Sequence, residues 1–272
     1  MSTRVILARC VAMELMMKYA LVDGIRQEAS PGLRGDCPGC GSPMIPKCGT
    51  KKLHHWAHKG RLECDHWWEP ETEWHRGWKN HFPKDWQEVR HLAESGEVHI
   101  ADVKTPSGAV LEFQYSALHP EERAAREAFY GPRMAWIASG TRLKRDAEAF
   151  RRAVFSADPD LLTRLRAWRM PDAKAPAIVQ RWAGSRSTVF LDFGEIDFSA
   201  LQLATTSGLL WLLSFRPGTV SFMPVLKDGV IGHYLAGKQL LGFESHSAEN
   251  LRRLSALEAQ LGRRRYSRRP RF

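Results

Sequence analysis

Hydrophobic and polar residues alternate over short stretches near the start of this chain, a pattern typical of strands with one buried face. Two such stretches, Lys18–Val22 and Ile25–Ala29, flank Asp23-Gly24, a pair typical of tight hairpin turns. The pattern predicts that residues 1–35 pair into a small sheet. Gly and Pro residues between Pro31 and Pro46 predict knuckle-like turns after it.

The middle of the chain predicts a helix, three strands, a second helix and a fourth strand. The first helix covers Glu71–Phe82 and is ended by Pro83, whereas the second begins at Pro120 and is ended by Gly131-Pro132. The four strands are Trp86–Leu92, Val98–Lys104, Ala109–Ser116 and Met134–Ser139.

Beyond Gly140 the pattern predicts a basic helical region to about Met170 and a Pro- and Ala-rich linker over Pro171–Pro176. Further elements follow, namely the strands Thr188–Phe193, Leu209–Phe215 and Thr219–Leu226 and the helix Ala248–Leu261. They predict a C-terminal α+β unit to which the sequence assigns no role.

These elements predict an α+β fold, and a length of 272 residues leads us to expect at least two units. We divide the chain into five segments: an N-terminal β and zinc-ribbon-like module (1–66), an α/β core (67–140), a basic helical linker (141–176), a C-terminal α+β unit (177–261) and an Arg-rich tail (262–272).

The formal net charge of +10 favours an anionic partner. Six arginines near the end account for six of these charges and leave about +4 for the rest of the chain: Arg263, Arg264, Arg265, Arg268, Arg269 and Arg271. The tail is equally consistent with a solvated, disordered chain end and with a segment that binds DNA.

No apolar run is long enough to span a membrane, and Arg9 and Glu14 interrupt the stretch Val5–Met17, which argues against a signal peptide. We therefore expect a cytoplasmic protein with no membrane partner. In a reducing compartment, metal binding explains clustered cysteines better than disulfides do. Four of the five cysteines lie between Cys37 and Cys64.

The motif Cys37-Pro-Gly-Cys40 supplies two thiolates on one turn, and histidines and a cysteine follow at distances that suit a second half of a zinc site. We favour Cys37, Cys40, His58 and Cys64 as the ligands, with His55 as the alternative to His58, and leave Cys48 as the spare cysteine. Four protein ligands leave no open coordination position on the zinc ion, so this zinc would be structural. The alternative is a redox pair at Cys37 and Cys40.

A second group of polar residues points to magnesium. Glu71, His75 and Lys79 share one face of the predicted helix, a spacing that is also common in solvated ion pairs. In the strands, Asp102 interrupts an apolar run, and Glu112, Gln114 and Ser116 alternate on one side. The short connection Thr105–Gly108 would bring Asp102 close to Glu112, and two adjacent carboxylates repel unless a cation neutralises them. Magnesium suits such a site and the hydrolysis of nucleic acids.

Five separated motifs, in order, resemble the competence-protein CoiA family of the PD-(D/E)XK nuclease superfamily. They are Cys37-Pro-Gly-Cys40-Gly41, His55-Trp-Ala-His58-Lys59, Glu71-Thr-Glu-Trp-His75 with Lys79, Ala101-Asp102-Val103 and Glu112-Phe-Gln114-Tyr-Ser116, and Arg126, Tyr130 and Trp136-Ile137 extend the match. The resemblance covers about residues 18–139. It implies a restriction-endonuclease-like αβββαβ core in which Glu71, Asp102 and Glu112 hold Mg²⁺ or Mn²⁺.

One position departs from the superfamily pattern, because Gln114 stands where most members have a lysine. A neutral amide cannot balance phosphate charge as an ammonium does. Lys79 is our candidate for that role, and His75 would hydrogen-bond a ligand or the phosphate.

We therefore expect a divalent-metal-dependent DNA nuclease for DNA processing or recombination, with structural zinc and no small-molecule cofactor. Phosphate contacts would come from Arg76, Lys84, Arg142 and Arg145. Trp67, Trp68, Trp74 and Trp78 would either stack on unpaired bases or lie in the core. The alternatives are a catalytically inactive zinc-containing nucleic-acid-binding protein and a zinc-stabilised protein-interaction scaffold. Asp192 with Glu195 is taken as a surface feature.

Overall fold

The computed structural model describes residues 16–60, 64–67, 69–159, 167–198, 201 and 208–238. It is a mixed α and β structure with two sheets. The chain divides into two compact units, the first within Met1–Asn80 and Gln87–Ala101 and the second within His81–Trp86 and Asp102–Phe272. The helix predicted over residues 248–261, the arginine tail and Trp68 lie outside the described residues.

The first unit contains a five-stranded antiparallel sheet. Its strands are β1 (Tyr19–Val22), β2 (Ile25–Glu28), β3 (Gly35–Asp36), β4 (Pro43–Lys47) and β5 (His55–His58), in the order β2-β1-β3-β4-β5. The predicted hairpin is confirmed. Asp23 and Gly24 both have positive φ angles, 51° and 77°, as the tight turn between β1 and β2 requires.

A small hydrophobic core lies against this sheet. Trp56 is fully buried there together with Met17, Ala20 and Met44, and its indole N–H donates to the carbonyl of Gln27 at 2.9 Å. Cys37 belongs to the same core. The loop that carries the predicted zinc ligands is therefore packed against the sheet.

Helix α1 (Glu73–Lys79) is shorter than predicted. The Thr72 hydroxyl accepts the N–H of His75, and the His75 ring accepts the N–H of Thr72, so the two form a capping box that starts the helix at residue 73. Glu71 thus lies before the helix, and the prediction that it shares a helix face with His75 and Lys79 is wrong. In the same unit, β6 (Gln87–Leu92) lies beside the first part of β7 (Val98–Lys104).

The second unit is built on a larger sheet. Its strands are β8 (Val110–Gln114), β9 (Met134–Ser139), β10 (Asp158–Pro159), β11 (Trp168–Pro171), β12 (Thr188–Asp192), β13 (Leu209–Arg216) and β14 (Thr219–Leu226). The order is β10-β11-β14-β13-β12-β9-β8-β7, to which β7 contributes from Asp102 onward. β9 is parallel to both β8 and β12, whereas the pairs β10–β11, β11–β14, β14–β13, β13–β12 and β8–β7 are antiparallel.

Where the structure describes the second unit, four α-helices accompany this sheet: α2 (Pro120–Tyr130), α3 (Lys144–Ser156), α4 (Ala177–Gln180) and α5 (Lys227–Leu235). Aromatic side chains fill the core, and the Phe150 ring contacts the rings of Phe193, Phe198, Trp211 and Phe222. Gly140, directly after β9, lies so close to Phe193 that an added Cβ would be 2.2 Å from its ring.

The predicted order of helix, three strands, helix and strand is present along the chain as α1, β6, β7, β8, α2 and β9. Three details differ. β8 ends at Gln114, so Ser116 lies outside the strand. Residues 168–170, predicted as helix, form β11 because they pair with β14. β12 pairs with β9, so the sheet continues into strands that we had assigned to a separate C-terminal unit.

No helix within the described part of the chain is long and apolar enough to cross a bilayer.

Candidate functional site

Four predicted zinc ligands converge in the first unit. Cys37 follows β3, Cys40 lies in the next turn, His58 ends β5 and Cys64 follows it. Their donor atoms all lie within 4.8 Å of one another. The Sγ atoms of Cys37 and Cys64 are 3.8 Å apart, and Cys40 Sγ is 3.3 Å from His58 Nε2.

These distances fit zinc. Two sulfurs bonded tetrahedrally to one zinc ion at about 2.3 Å lie about 3.8 Å apart. The turn itself is held by backbone hydrogen bonds, since the N–H of Cys37 donates to Ser42 O and the N–H of Gly41 donates to Cys37 O, each at 2.8 Å. The four residues could therefore hold a zinc ion in a closed shell, as the sequence predicts.

The Sγ atoms of Cys37 and Cys64 lie within hydrogen-bond reach of each other. A hydrogen bond from the Cys64 thiol lowers the pKa of Cys37, while the same bond and burial raise the pKa of Cys64. Zinc binds thiolates, so its binding would displace the thiol protons.

His55, the alternative ligand, is not part of this cluster. Its Nδ1 is 2.8 Å from the carbonyl oxygen of Leu53. His55 and His58 are three residues apart on one strand and therefore point to opposite faces of it. Cys48 also lies outside the group of four.

A buried network of charges surrounds Lys79 in the same unit. Its Nζ is 2.7 Å from Glu71 Oε1 and 2.8 Å from Glu88 Oε1, and all three side chains are at most 6 % exposed. Arg76 pairs with the other oxygen of Glu71. Burial raises the pKa of Glu71, but Lys79 and Arg76 more than offset it and hold that pKa below its ordinary value.

Glu88 is a residue that the sequence analysis missed. Its carboxylate accepts the backbone N–H groups of Lys18 and Tyr19 as well as the Lys79 ammonium, and its backbone has a φ of 47°. A non-glycine residue in the left-handed region is strained and persists only where its surroundings hold it. Nothing in the local sequence signals this, since the partners lie 9 to 70 residues away.

His75 is held by neighbours on its own segment. Its Nε2 is 3.2 Å from Glu69 Oε2, and its Nδ1 takes part in the capping box with Thr72. These contacts fix the ring orientation. The predicted role of His75 toward a ligand or phosphate stays a prediction.

Two of the predicted metal ligands meet in the second unit, on β7 and β8. Asp102 Oδ2 accepts the N–H of Phe113 at 2.9 Å, and Glu112 Oε1 accepts the N–H of Asp102 at 3.3 Å. The two carboxylates are thus neighbours across the strand pair, as the short Thr105–Gly108 connection predicts. Glu112 is buried and Asp102 is partly exposed.

Arg126 on α2 supplies the neighbouring positive charge. Its Nη1 is 3.3 Å from Glu112 Oε2, and Glu122 contacts the same guanidinium. Burial opposes the charged form, yet Glu112 and Glu122 raise the pKa of Arg126 above its ordinary value. Sequence analysis included Arg126 in the family match but gave it no role at the site.

Gln114 and Arg142 line one small cavity of the second unit. Two further arginines, Arg123 and Arg181, also line it, together with Asp146. Gln114 is buried, and its amide donates to Ser116 O at 3.3 Å. A predicted catalytic residue and a predicted phosphate contact therefore line the same cavity, whose charged lining residues are three arginines and one aspartate.

The other residues predicted to contact nucleic acid differ in their solvent exposure. Lys84 and Arg145 are exposed, whereas Arg76 is tied to Glu71. Trp67 and Trp78 are buried, so of the described tryptophans proposed for base stacking only Trp74 is partly exposed. Asp192 is buried at the end of β12 and is not the surface feature that we expected, although Glu195 is exposed.

The predicted metal ligands belong to both compact units. Glu71 lies in the first unit, and Asp102 and Glu112 lie in the second.

In a comparison with protein families, the model of the N-terminal domain of competence protein CoiA matches residues 35–66. This segment contains all four residues of the zinc cluster and supports a CoiA-like relationship for this part of the chain. Searches of curated proteins and of solved structures gave no match.

Proposed function

We propose that this chain is a CoiA-like, divalent-metal-dependent nuclease that hydrolyses phosphodiester bonds in DNA during competence-related processing or recombination. One observation carries the proposal: Asp102 and Glu112 are neighbouring carboxylates on adjacent strands of the second unit. The family match at residues 35–66 supports the competence-related part.

The donor set fits a hard cation. Carboxylate oxygens are the ligands that Mg²⁺ and Mn²⁺ prefer, and a site with few protein ligands leaves positions for water and phosphate. Asp102 is partly exposed, so solvent reaches this pair. When bound, the metal would neutralise phosphate charge and supply an activated water.

The residues around the pair would orient it. The Phe113 N–H fixes one Asp102 oxygen, and the Asp102 N–H fixes one Glu112 oxygen. Arg126 pairs with the buried Glu112 and compensates its charge. Since Gln114 is neutral, Arg126 is the cation of the second unit proposed to oppose phosphate charge.

The assignment of Glu71 as a further metal ligand rests on the resemblance alone. Both of its carboxylate oxygens face cations, Lys79 on one side and Arg76 on the other. Binding of a metal ion there would have to replace one of these contacts.

Because both Glu71 oxygens already contact cations, the structure favours a second candidate function. In it, the chain is a catalytically inactive zinc-containing protein that binds nucleic acid. Gln114 in the lysine position agrees with it. In this alternative the zinc cluster and the basic residues remain functional, while Asp102 and Glu112 only stabilise the fold.

A cleavage assay separates the two functions. Zinc-loaded protein is incubated with plasmid and with single-stranded DNA in Mg²⁺, Mn²⁺ or EDTA, and Asp102→Ala is compared with Glu121→Ala, a variant of an exposed glutamate on α2. The proposal expects cutting that needs the divalent ion, is lost in Asp102→Ala and persists in Glu121→Ala. DNA binding without any cutting would support the inactive protein instead.

A further inference from the structure

Both halves of the zinc cluster contact the same short stretch of β7 in the first unit. Asp65 directly follows the ligand Cys64. Its Oδ1 accepts a hydrogen bond from His99 Nδ1 at 2.8 Å, and its Oδ2 accepts the backbone N–H of Ile100 at 2.9 Å. The segment after β5 is thereby fastened to β7 by one buried carboxylate.

The other half of the cluster reaches β7 through Gly39, which lies between Cys37 and Cys40. A Cβ at this position would be 2.9 Å from Ile100 Cδ1, so the absence of a side chain at Gly39 lets the turn lie directly against the Ile100 side chain. The Gly39 carbonyl also accepts a hydrogen bond from Arg90 Nε on β6 at 3.2 Å. Both halves of the cluster therefore meet at Ile100.

Further contacts hold both Asp65 and His99 in place. Oδ1 also accepts the N–H of Trp67 at 3.0 Å, and the Trp67 ring stacks on His99 with ring centres 3.2 Å apart at 11°. His99 Nε2 is 2.9 Å from Glu97 Oε1. Both carboxylate oxygens of Asp65 and both ring nitrogens of His99 thus have protein partners.

We propose that Asp65 is a positioning residue through which zinc held by the cysteine–histidine cluster fixes β7. With zinc bound, Cys64 is joined to the Cys37–Cys40 turn, and Asp65 and Gly39 both contact Ile100. Without zinc, the Cys64 segment can move away from that turn and from β7, and the Ile100 N–H then loses its acceptor. β7 continues from Ile100 to Asp102, two residues later. Zinc would therefore also affect the position of Asp102, and an effect on DNA cleavage rests on the proposed function.

The same residues allow another interpretation. Donor atoms of Asp65, His66 and His99 lie within 4.8 Å of one another and could hold a second metal ion. The hydrogen bonds that already occupy Asp65 and His99 favour the positioning role, because a metal would have to break them. Zinc stoichiometry distinguishes the two interpretations.

Hydrogen exchange measured by mass spectrometry tests the proposal on the full chain, without DNA or magnesium. In wild type, chelation of zinc should speed exchange of a peptide covering residues 98–104 about tenfold. Asp65→Asn should show the faster exchange while still binding one zinc ion, and chelation should then add little. Asp85→Asn, at an exposed site, should behave as wild type.

A second pair of variants protects the test against misfolding of Asp65→Asn. Gly39→Ala must push Ile100 aside and should also speed exchange over residues 98–104. Gly49→Ala, whose added methyl group meets nothing within 4 Å, should leave exchange unchanged.

Three results would overturn the proposal. They are unchanged exchange in both Asp65→Asn and Gly39→Ala, an equal effect of chelation in wild type and Asp65→Asn, or two bound zinc ions of which one is lost in His99→Gln. Absence of DNA cleavage by the wild type would defeat only the nuclease proposal, because these exchange rates are measured without it.

Discussion

The Nζ of Lys79 lies 2.8 Å from a carboxylate oxygen of Glu88, whose backbone is held in the left-handed region. Neither side chain is more than 6 % exposed. A buried charge is stable only when a partner of opposite sign accompanies it. The strained conformation of Glu88 is thus maintained by its ion pair with Lys79 and by two backbone donors from Lys18 and Tyr19.

Removal of the Glu88 carboxylate should destabilise the first unit. Glu88→Ala removes a carboxylate that pairs with the buried Lys79 ammonium and takes the acceptor from two buried N–H groups, so we expect the free energy of unfolding to fall by about 3–5 kcal/mol. Urea denaturation measures it. Glu94→Ala, at an exposed position, is the control, and equal midpoints for the two variants would contradict the role of Glu88.

The pH dependence of stability should reflect Glu71. Its pKa is lowered in the folded protein from an ordinary value of 4.5, so its ionisation adds stability above that pH. This contribution is lost as the pH falls through the lower, folded-state pKa. Thermal unfolding of wild type and Glu71→Gln should therefore differ at pH 6 and converge in acid. A difference that grows on acidification would show the opposite sign of the shift.

Zinc binding should depend on one of two nearby histidines. His58→Ala removes a ligand and should weaken zinc affinity at least about 100-fold. His55→Ala, on the opposite face of β5, should keep one zinc ion per chain. A competitive chelator titration gives both affinities, and equal losses in the two variants would contradict the ligand set.

Gly140 should tolerate no side chain. The Cβ of Gly140→Ala would lie 2.2 Å from the Phe193 ring, so we expect a loss of about 1–3 kcal/mol or more in the free energy of unfolding. Gly232→Ala is the matched control, because it lies in α5 with nothing within 4 Å. Replacement of this helical glycine by alanine should raise the free energy of unfolding by about 0.5–1 kcal/mol. Similar stabilities for both variants would be inconsistent with close packing at Gly140.

Local signals in the sequence predicted part of this structure. The apolar run Met134–Ser139 and the stretch Val98–Lys104 have the bounds that the pattern predicts. Spacing also predicted the zinc cluster but could not separate His58 from His55, and strand alternation within β5 explains why His58 rather than His55 faces the cluster.

Long-range pairing could not be predicted in the same way. The strand β11 looked helical because its neighbours in the sequence are basic and helical, but its pairing with β10 and β14 makes it a strand. Glu88 looked like an ordinary strand residue, since its partner Lys18 is 70 residues away. Such contacts depend on tertiary packing, which outweighs local propensity.

Metal binding by the carboxylate pair tests the central claim most directly. Zinc-loaded protein is titrated calorimetrically with Mn²⁺, and wild type is compared with Asp102→Asn, Glu112→Gln and the exposed control Glu121→Gln. We expect wild type and Glu121→Gln to bind Mn²⁺ and the other two variants to bind it at least about tenfold more weakly. No Mn²⁺ uptake by wild type, with or without an oligonucleotide, or equal uptake by all four proteins would contradict a metal-dependent nuclease site at Asp102 and Glu112.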